Sequence, residues 1–173
     1  MERYYFFILF GYLSGSILFA RLLPKYLRHI DICELSEDNN PGVFNAFKHA
    51  GPVIGSMTLL LELAKGFLPV HVGLQLLDPR NTLFALVLAA PVFGHAFPLF
   101  RPKEGGKSIA VSFGCLLGLF PDLAPVCTLA AFYLLFSAVI IIEPHLVRSI
   151  VTYLCFSLMT FRYSAPRPVI LGA

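Results

Sequence analysis

Apolar residues in this chain come in long runs separated by short polar segments. The first run covers about Tyr4 to Leu23, with Arg3 ahead of it. That start resembles a secretory leader, but the run continues through Ala20 to Leu23 and further apolar runs follow, so it is expected to be a membrane helix. Gly11, Ser14, Gly15 and Ser16 inside it are small enough to let a second helix approach closely in lipid. His29 to Lys48 is a long polar stretch that lipid could not bury. Further helices are expected over Pro52–Leu76, Thr82–Phe97, Ser108–Phe120 and Pro125–Ile142, with a sixth apolar run over Leu146–Phe161. Asp78-Pro79-Arg80-Asn81 and Pro121-Asp122 read as turns, and Glu143-Pro144-His145 breaks the fifth helix. The fourth run is short against the roughly 20 residues a span needs, which suits a helix that begins inside the protein. The tail, Arg162 to Ala173, reads as short and irregular.

Composition decides the class. The chain has 173 residues, of which 57% are hydrophobic and 13% charged, and its mean hydropathy is +0.77. A soluble domain carries about 25% charged residues. The expected fold is therefore all-α: a polytopic integral membrane bundle of five to seven transmembrane helices, forming a single transmembrane domain over residues 1–173. The net charge of +3 lies between apolar runs, which fits a cytoplasmic face beside anionic lipid better than a nucleic-acid surface. Arg21, Lys25, Arg28 and Lys48 follow the first helix, and Arg101, Lys103 and Lys107 follow the third. The loop after the second helix has Arg80 alone. The positive-inside rule then puts the N-terminus outside and the loops at about 24–50 and 98–108 together in the cytoplasm. Cys33, Cys115, Cys127 and Cys155 show no paired spacing, so they read as small apolar fillers rather than a disulfide framework or a zinc site.

Both cytoplasmic loops carry anion-binding chemistry. Asn40-Pro41-Gly42 is a tight-turn sequence, and Asn45 and Lys48 share the face of a helix that follows it. Exposed amides at such a helix start attract anions. In the second loop Gly105-Gly106 can bring backbone N–H groups close to a ligand, Lys107 is a compact charge suited to phosphate, and Ser108 can cap the next helix. A nucleotide-binding P-loop would need Gly at Arg101 and a strand before it, and neither is present. His95 is either a hydrogen-bonded structural residue or a group that takes a proton from a hydroxyl nucleophile. Glu62 and Lys65 lie three apart inside the second helix, an expensive place for charge, and are expected to pair in the protein interior.

These residues together resemble the bacterial acyl-phosphate:glycerol-3-phosphate acyltransferase family (PlsY-type). Its first motif, roughly GSGNPGATNALR, is matched at Asn40, Pro41, Gly42, Asn45 and Ala46, with Lys48 in place of Arg. Its second, roughly GHxFPxFxxFxGGKGVA, is matched at Gly94, His95, Phe97, Pro98, Phe100, Gly105, Gly106, Lys107 and Ala110. Gly15-Ser16-Ile17 with Phe19 is similar to its GSIPF, and Glu62, Lys65 and Gly66 to its D-x-x-K-G. The likeness runs over about residues 4–120. Asp38 and Asn39 stand where the family has Ser and Gly, Ser108 replaces a Gly, and the family's third motif is not recognisable over Tyr153 to Tyr163.

The resemblance implies an enzyme of the bacterial inner membrane, its active site facing the cytoplasm. It would transfer a fatty acyl group from acyl phosphate to glycerol 3-phosphate among membrane lipids, with no cofactor, metal or nucleic acid. Lys107, Lys48 and the Gly105 and Gly106 amides would hold the phosphate, with Asn40, Gly42, Asn45 and Ser108 around it. His95, Lys107 and Asn45 form the implied catalytic set, His95 as base or orienting group, and Glu62 with Lys65 supports them as an ion pair. The alternatives are a paralogue that binds phosphate or lipid without catalysis and, ranked last, a small transporter.

Overall fold

The computed structural model describes residues 1–37, 39–162 and 167–173. Asp38 and Tyr163 lie outside the described residues. Every regular element among the described residues is helical: α1 (Glu2–Gly15), α2 (Phe19–Arg28), α3 (Ile32–Leu35), α4 (Val43–Ala50), α5 (Pro52–Leu76), α6 (Leu83–Ala96), α7 (Ile109–Leu117), α8 (Ala124–Leu134), α9 (His145–Thr160) and α10 (Arg167–Gly172). Helix α8 runs on into a wide turn over Leu135–Val139.

The axis of the bundle is α5, a 25-residue helix that, among the described residues, is the single unbroken one long and apolar enough to cross a membrane; α1 and α2 pass the same test only as a bent pair. Its buried positions, among them Ile54, Thr58, Glu62, Lys65, Pro69 and Gly73, recur every three or four residues and so form one inward stripe. Phe84, Val87 and Leu88 of α6, Val111 of α7, Leu129 of α8 and Phe156 of α9 fill the core around it. The outward faces carry exposed Phe6, Leu9, Leu60, Leu86, Leu134 and Leu158, a surface suited to hydrocarbon rather than water.

Small residues set how closely the helices cross. A Cβ on Gly15 would lie 2.1 Å from the Pro91 carbonyl oxygen, and one on Gly94 would lie 2.1 Å from that of Tyr12, so α1 and α6 meet backbone to backbone. Gly66 and Gly114 do the same for α5 and α7, against Val111 O at 2.5 Å and Leu63 O at 2.2 Å.

Three expectations change. The first apolar run is two helices, α1 and α2, meeting at 41° across residues 16–18 rather than one helix over Tyr4–Leu23. Backbone carbonyls at the break are turned inward onto the Lys65 ammonium, which a continuous helix would not allow. The fifth helix stops short of Ile142, because the wide turn ends it at Val139. The tail is not irregular throughout: α10 packs on α6, where a Cβ on Gly172 would come within 2.7 Å of the Ala85 oxygen. The fourth apolar helix is short, as expected, at nine residues.

Replacing Gly94 with Ala forces the α1–α6 crossing apart. Overpacking of this kind costs about 1–3 kcal/mol, so the unfolding midpoint in detergent should fall; an unchanged midpoint would contradict this packing.

Candidate active site

The two polar loops and the inward stripe of α5 meet at one end of the bundle. In the first loop Asn45 Nδ2 donates to the Asn40 carbonyl at 2.9 Å, which closes the Asn40-Pro41-Gly42 turn onto the helix it precedes. A Cβ on Gly42 would sit 2.7 Å from Asn40 Nδ2, so a larger residue there would push the Asn40 side chain aside. Asn39 has φ +48, in the left-handed region. Gly takes that conformation freely and Asn more readily than most other residues, so the substitution keeps the turn.

The second loop folds flat against the end of α6. The Gly106 N–H donates to the His95 carbonyl at 3.1 Å. A Cβ on Gly105 would lie 1.8 Å from the Ala96 oxygen, and one on Gly106 would lie 2.2 Å from His95 Nε2. No other residue type fits either position without movement. Ser108 begins α7 with φ +57, again left-handed at a position where the resembled family has Gly. Its hydroxyl does not cap α7, as the sequence suggested; it donates to the Val92 carbonyl at 3.1 Å, because the left-handed backbone turns the side chain back onto α6.

Behind these loops is a buried charged cluster. Lys65 Nζ lies 2.8 Å from Glu62 Oε2 and 2.8 Å from His95 Nδ1. It also donates to Gly15 O at 2.9 Å and Ile17 O at 2.6 Å, the carbonyls freed at the α1–α2 break. Glu62 Oε1 accepts the Ala20 N–H at 3.2 Å, and Oε2 is 3.2 Å from His95 Nδ1. Glu62, Lys65 and His95 are 1%, 3% and 4% exposed, so the ions are sealed from water and depend on one another.

A polar clamp ties the loops together outside this cluster. The Arg21 guanidinium bridges Asp31, at 2.9 Å, and Glu104, which also pairs with Arg101 at 2.8 Å. Burial would raise the Asp31 carboxyl, but the Cys33 amide and Arg21 outweigh it and hold it below its ordinary value. The hydrogen bond from Arg101 likewise lowers Glu104. Burial pushes the Cys33 thiol up to about 11, which leaves it protonated and unreactive.

The loops enclose a cavity of about 750 Å³. Asn40, Gly42, Asn45, Lys48, Glu62, His95, Lys107 and Ser108 line it; Gly105, Gly106 and Lys65 stand behind that lining. Its other walls are apolar, from Leu59, Leu63, Val111, Phe113 and Leu117. Lys48 reaches Glu37 at 3.4 Å in an exposed pair, a contact weak enough to yield to a ligand anion. Tyr133 and His145 also line the cavity and were missed by sequence reasoning. Tyr133 gave no signal among so many aromatics; His145, after Glu143-Pro144, looked like a helix breaker. Among the described residues no cluster of His, Cys, Asp or Glu could hold a metal ion.

A family model described as glycerol-3-phosphate acyltransferase matches residues 5–173. Proteins named glycerol-3-phosphate acyltransferase are similar: one from Myxococcus xanthus is 39% identical over 117 residues, covering 68% of this chain and 60% of that protein. One from Thermotoga petrophila is 39% identical over 117 residues, covering 67% and 58%. The matched region thus spans about 60% of these relatives' length. The fold is also that of the crystal structure of PlsY (YgiH), an integral membrane glycerol 3-phosphate acyltransferase. Its glycerol 3-phosphate form superposes with a TM-score of 0.83 at 24% identity, covering 98% of this chain and 82% of that one. Its lysophosphatidic acid form gives 0.81.

The Gly-Gly turn is directly testable. Gly105→Ala, which meets backbone, should cost about 1–3 kcal/mol of stability. Gly106→Ala, which meets a side chain able to turn aside, should cost less. Thermal unfolding in detergent gives the order; the reverse order would contradict the loop geometry.

Proposed function

The chain belongs to the glycerol-3-phosphate acyltransferase family, and from that premise we propose that it is itself a membrane acyltransferase. It moves a fatty acyl group from acyl phosphate to the 1-hydroxyl of glycerol 3-phosphate, giving lysophosphatidic acid, the first step of phospholipid synthesis. The observation that carries this reading is the cavity: cations, asparagines and a histidine at one side, a hydrocarbon wall at the other. That division suits a ligand pair in which a small phosphorylated alcohol meets an activated long acyl chain. The protein would lie in the inner membrane of a bacterium as one bundle of five to seven spans, over residues 1–173. Its N-terminus would be outside, and the Lys- and Arg-rich end that holds the site would face the cytoplasm.

In this reading Lys107 and Lys48 neutralise the phosphate of glycerol 3-phosphate. The Gly106 amide is spent on the His95 carbonyl and so does not hold the phosphate as the sequence suggested; the Gly105-Gly106 turn acts by bringing Lys107 and Ser108 to the cavity, and with the turn at Asn40–Gly42, closed by Asn45, it shapes the seat. His95 presents Nε2 to the reacting centre. The glycerol hydroxyl oxygen attacks the acyl carbonyl carbon and forms the ester bond. The carbon–oxygen bond to phosphate breaks, and its electron pair leaves with the phosphate. The hydroxyl proton ends on that phosphate. Acyl phosphate is already activated, so positioning and charge neutralisation supply most of the acceleration.

The test is an assay of purified protein in nanodiscs with acyl phosphate and labelled glycerol 3-phosphate. The expected product is lysophosphatidic acid. Binding of glycerol 3-phosphate without transfer would make the protein a binding paralogue instead. A hydrogen bond to a charged group is worth about 1.5–3 kcal/mol, so Lys107→Ala should lower kcat/KM roughly 10- to 150-fold. An unaltered kcat/KM would remove Lys107 from the site.

A further inference from the structure

His95 can act on a ligand as a proton acceptor or as a donor, and which one depends on where its own proton sits. The ring has two nitrogens. Nδ1 faces the buried cluster, 2.8 Å from Lys65 Nζ. Nε2 is the edge against Gly106, on the side of the cavity that His95 lines. Three acceptor oxygens surround Nζ, Gly15 O, Ile17 O and a Glu62 carboxylate oxygen, and the ring nitrogen His95 Nδ1 completes its surroundings. With a carboxylate among them, Nζ is an ammonium, which has three protons and no lone pair. Two carbonyls and Nδ1 take those protons as hydrogen bonds, while Glu62 supplies the balancing charge. The rival arrangement puts a proton on Nδ1 and donates it to Glu62 Oε2 at 3.2 Å. It would press that N–H against an ammonium 2.8 Å away, where neither nitrogen offers a lone pair.

We propose that Lys65 is a positioning residue: by donating to Nδ1 it fixes neutral His95 with its proton on Nε2. His95 then meets the reacting acyl phosphate as a hydrogen-bond donor and does not take the hydroxyl proton. This rests on the acyltransferase reading for its consequence, not for its geometry. It also gives the helix break a purpose. The Ser16 hydroxyl donates to Tyr12 O at 2.8 Å and accepts the Leu99 N–H at 3.2 Å, pinning the break beside the second loop. The break presents Gly15 O and Ile17 O to Nζ, which takes up two of its three protons and leaves one, aimed at Nδ1. Residues far apart in sequence, from α1 and α5, thereby set the proton of a side chain on α6.

The deciding measurement is the ¹⁵N NMR spectrum of the His95 ring in the wild-type protein in nanodiscs at neutral pH. Gly94-His95 is the one Gly-His step in the chain, so carbonyl-labelled Gly with ¹⁵N-labelled His assigns the residue. A protonated Nε2 with a bare, hydrogen-bonded Nδ1 is expected. A protonated Nδ1 overturns the proposal without reference to any variant. Lys65→Met should release the ring into a mixture of tautomers. It should also lower kcat about 100-fold while KM for glycerol 3-phosphate stays within about twofold. A folded Lys65→Met protein that keeps the wild-type tautomer also overturns it. If the wild type shows the expected tautomer but transfers no acyl group, the acyltransferase reading fails and the assignment of the proton stands.

Discussion

One ammonium group holds the interior of this protein in place. Lys65 sits in the middle of a long apolar helix with its charge sealed from solvent. Burying an unpaired charge is prohibitive, so the surroundings must meet it from several directions at once. They do so with a carboxylate one turn earlier on the same helix, two carbonyls from the break between α1 and α2, and a ring nitrogen from α6. The α1–α2 break and α6 are thereby fixed relative to α5. The break is part of the same solution, since an intact helix would keep those carbonyls for its own hydrogen bonds.

Around that anchor the two polar loops need little of their own. The Gly105-Gly106 turn lies flat because both positions lack a Cβ, and the first turn is closed by one asparagine bond. Two of the positions where the chain departs from its family, Asn39 and Ser108, have a left-handed backbone. Both are replacements of Gly, and each keeps the backbone path at a cost of about 1–2 kcal/mol of strain. The cavity the loops enclose keeps its polar side against the charged cluster.

Much of this was legible in the sequence. Long apolar runs separated by turns located α5, α6, α7 and α9 to within a few residues, and the Lys and Arg pattern put both loops at one end. The Glu62–Lys65 pair could be read because ionisable residues three apart in an apolar helix share a face. The partnership of His95 with them could not, because α5 and α6 come together only through packing. The break at residues 16–18 was equally hidden: hydropathy sees one continuous run over Tyr4–Leu23, and the group that meets its turned carbonyls is a side chain some fifty positions away. The contribution of Tyr133 and His145 to the cavity wall depends on how α8 and α9 close the bundle, which no local pattern records.

The buried Lys65–Glu62 pair holds the site together as a unit. A double-mutant cycle of Lys65→Met, Glu62→Gln and the combined variant, followed by equilibrium unfolding in detergent, tests it most directly. Each single variant leaves an uncompensated buried charge and should lose about 3–5 kcal/mol, while the combined variant should lose clearly less than the sum. Losses that simply add, or single variants as stable as the wild type, would show that the two ions act independently.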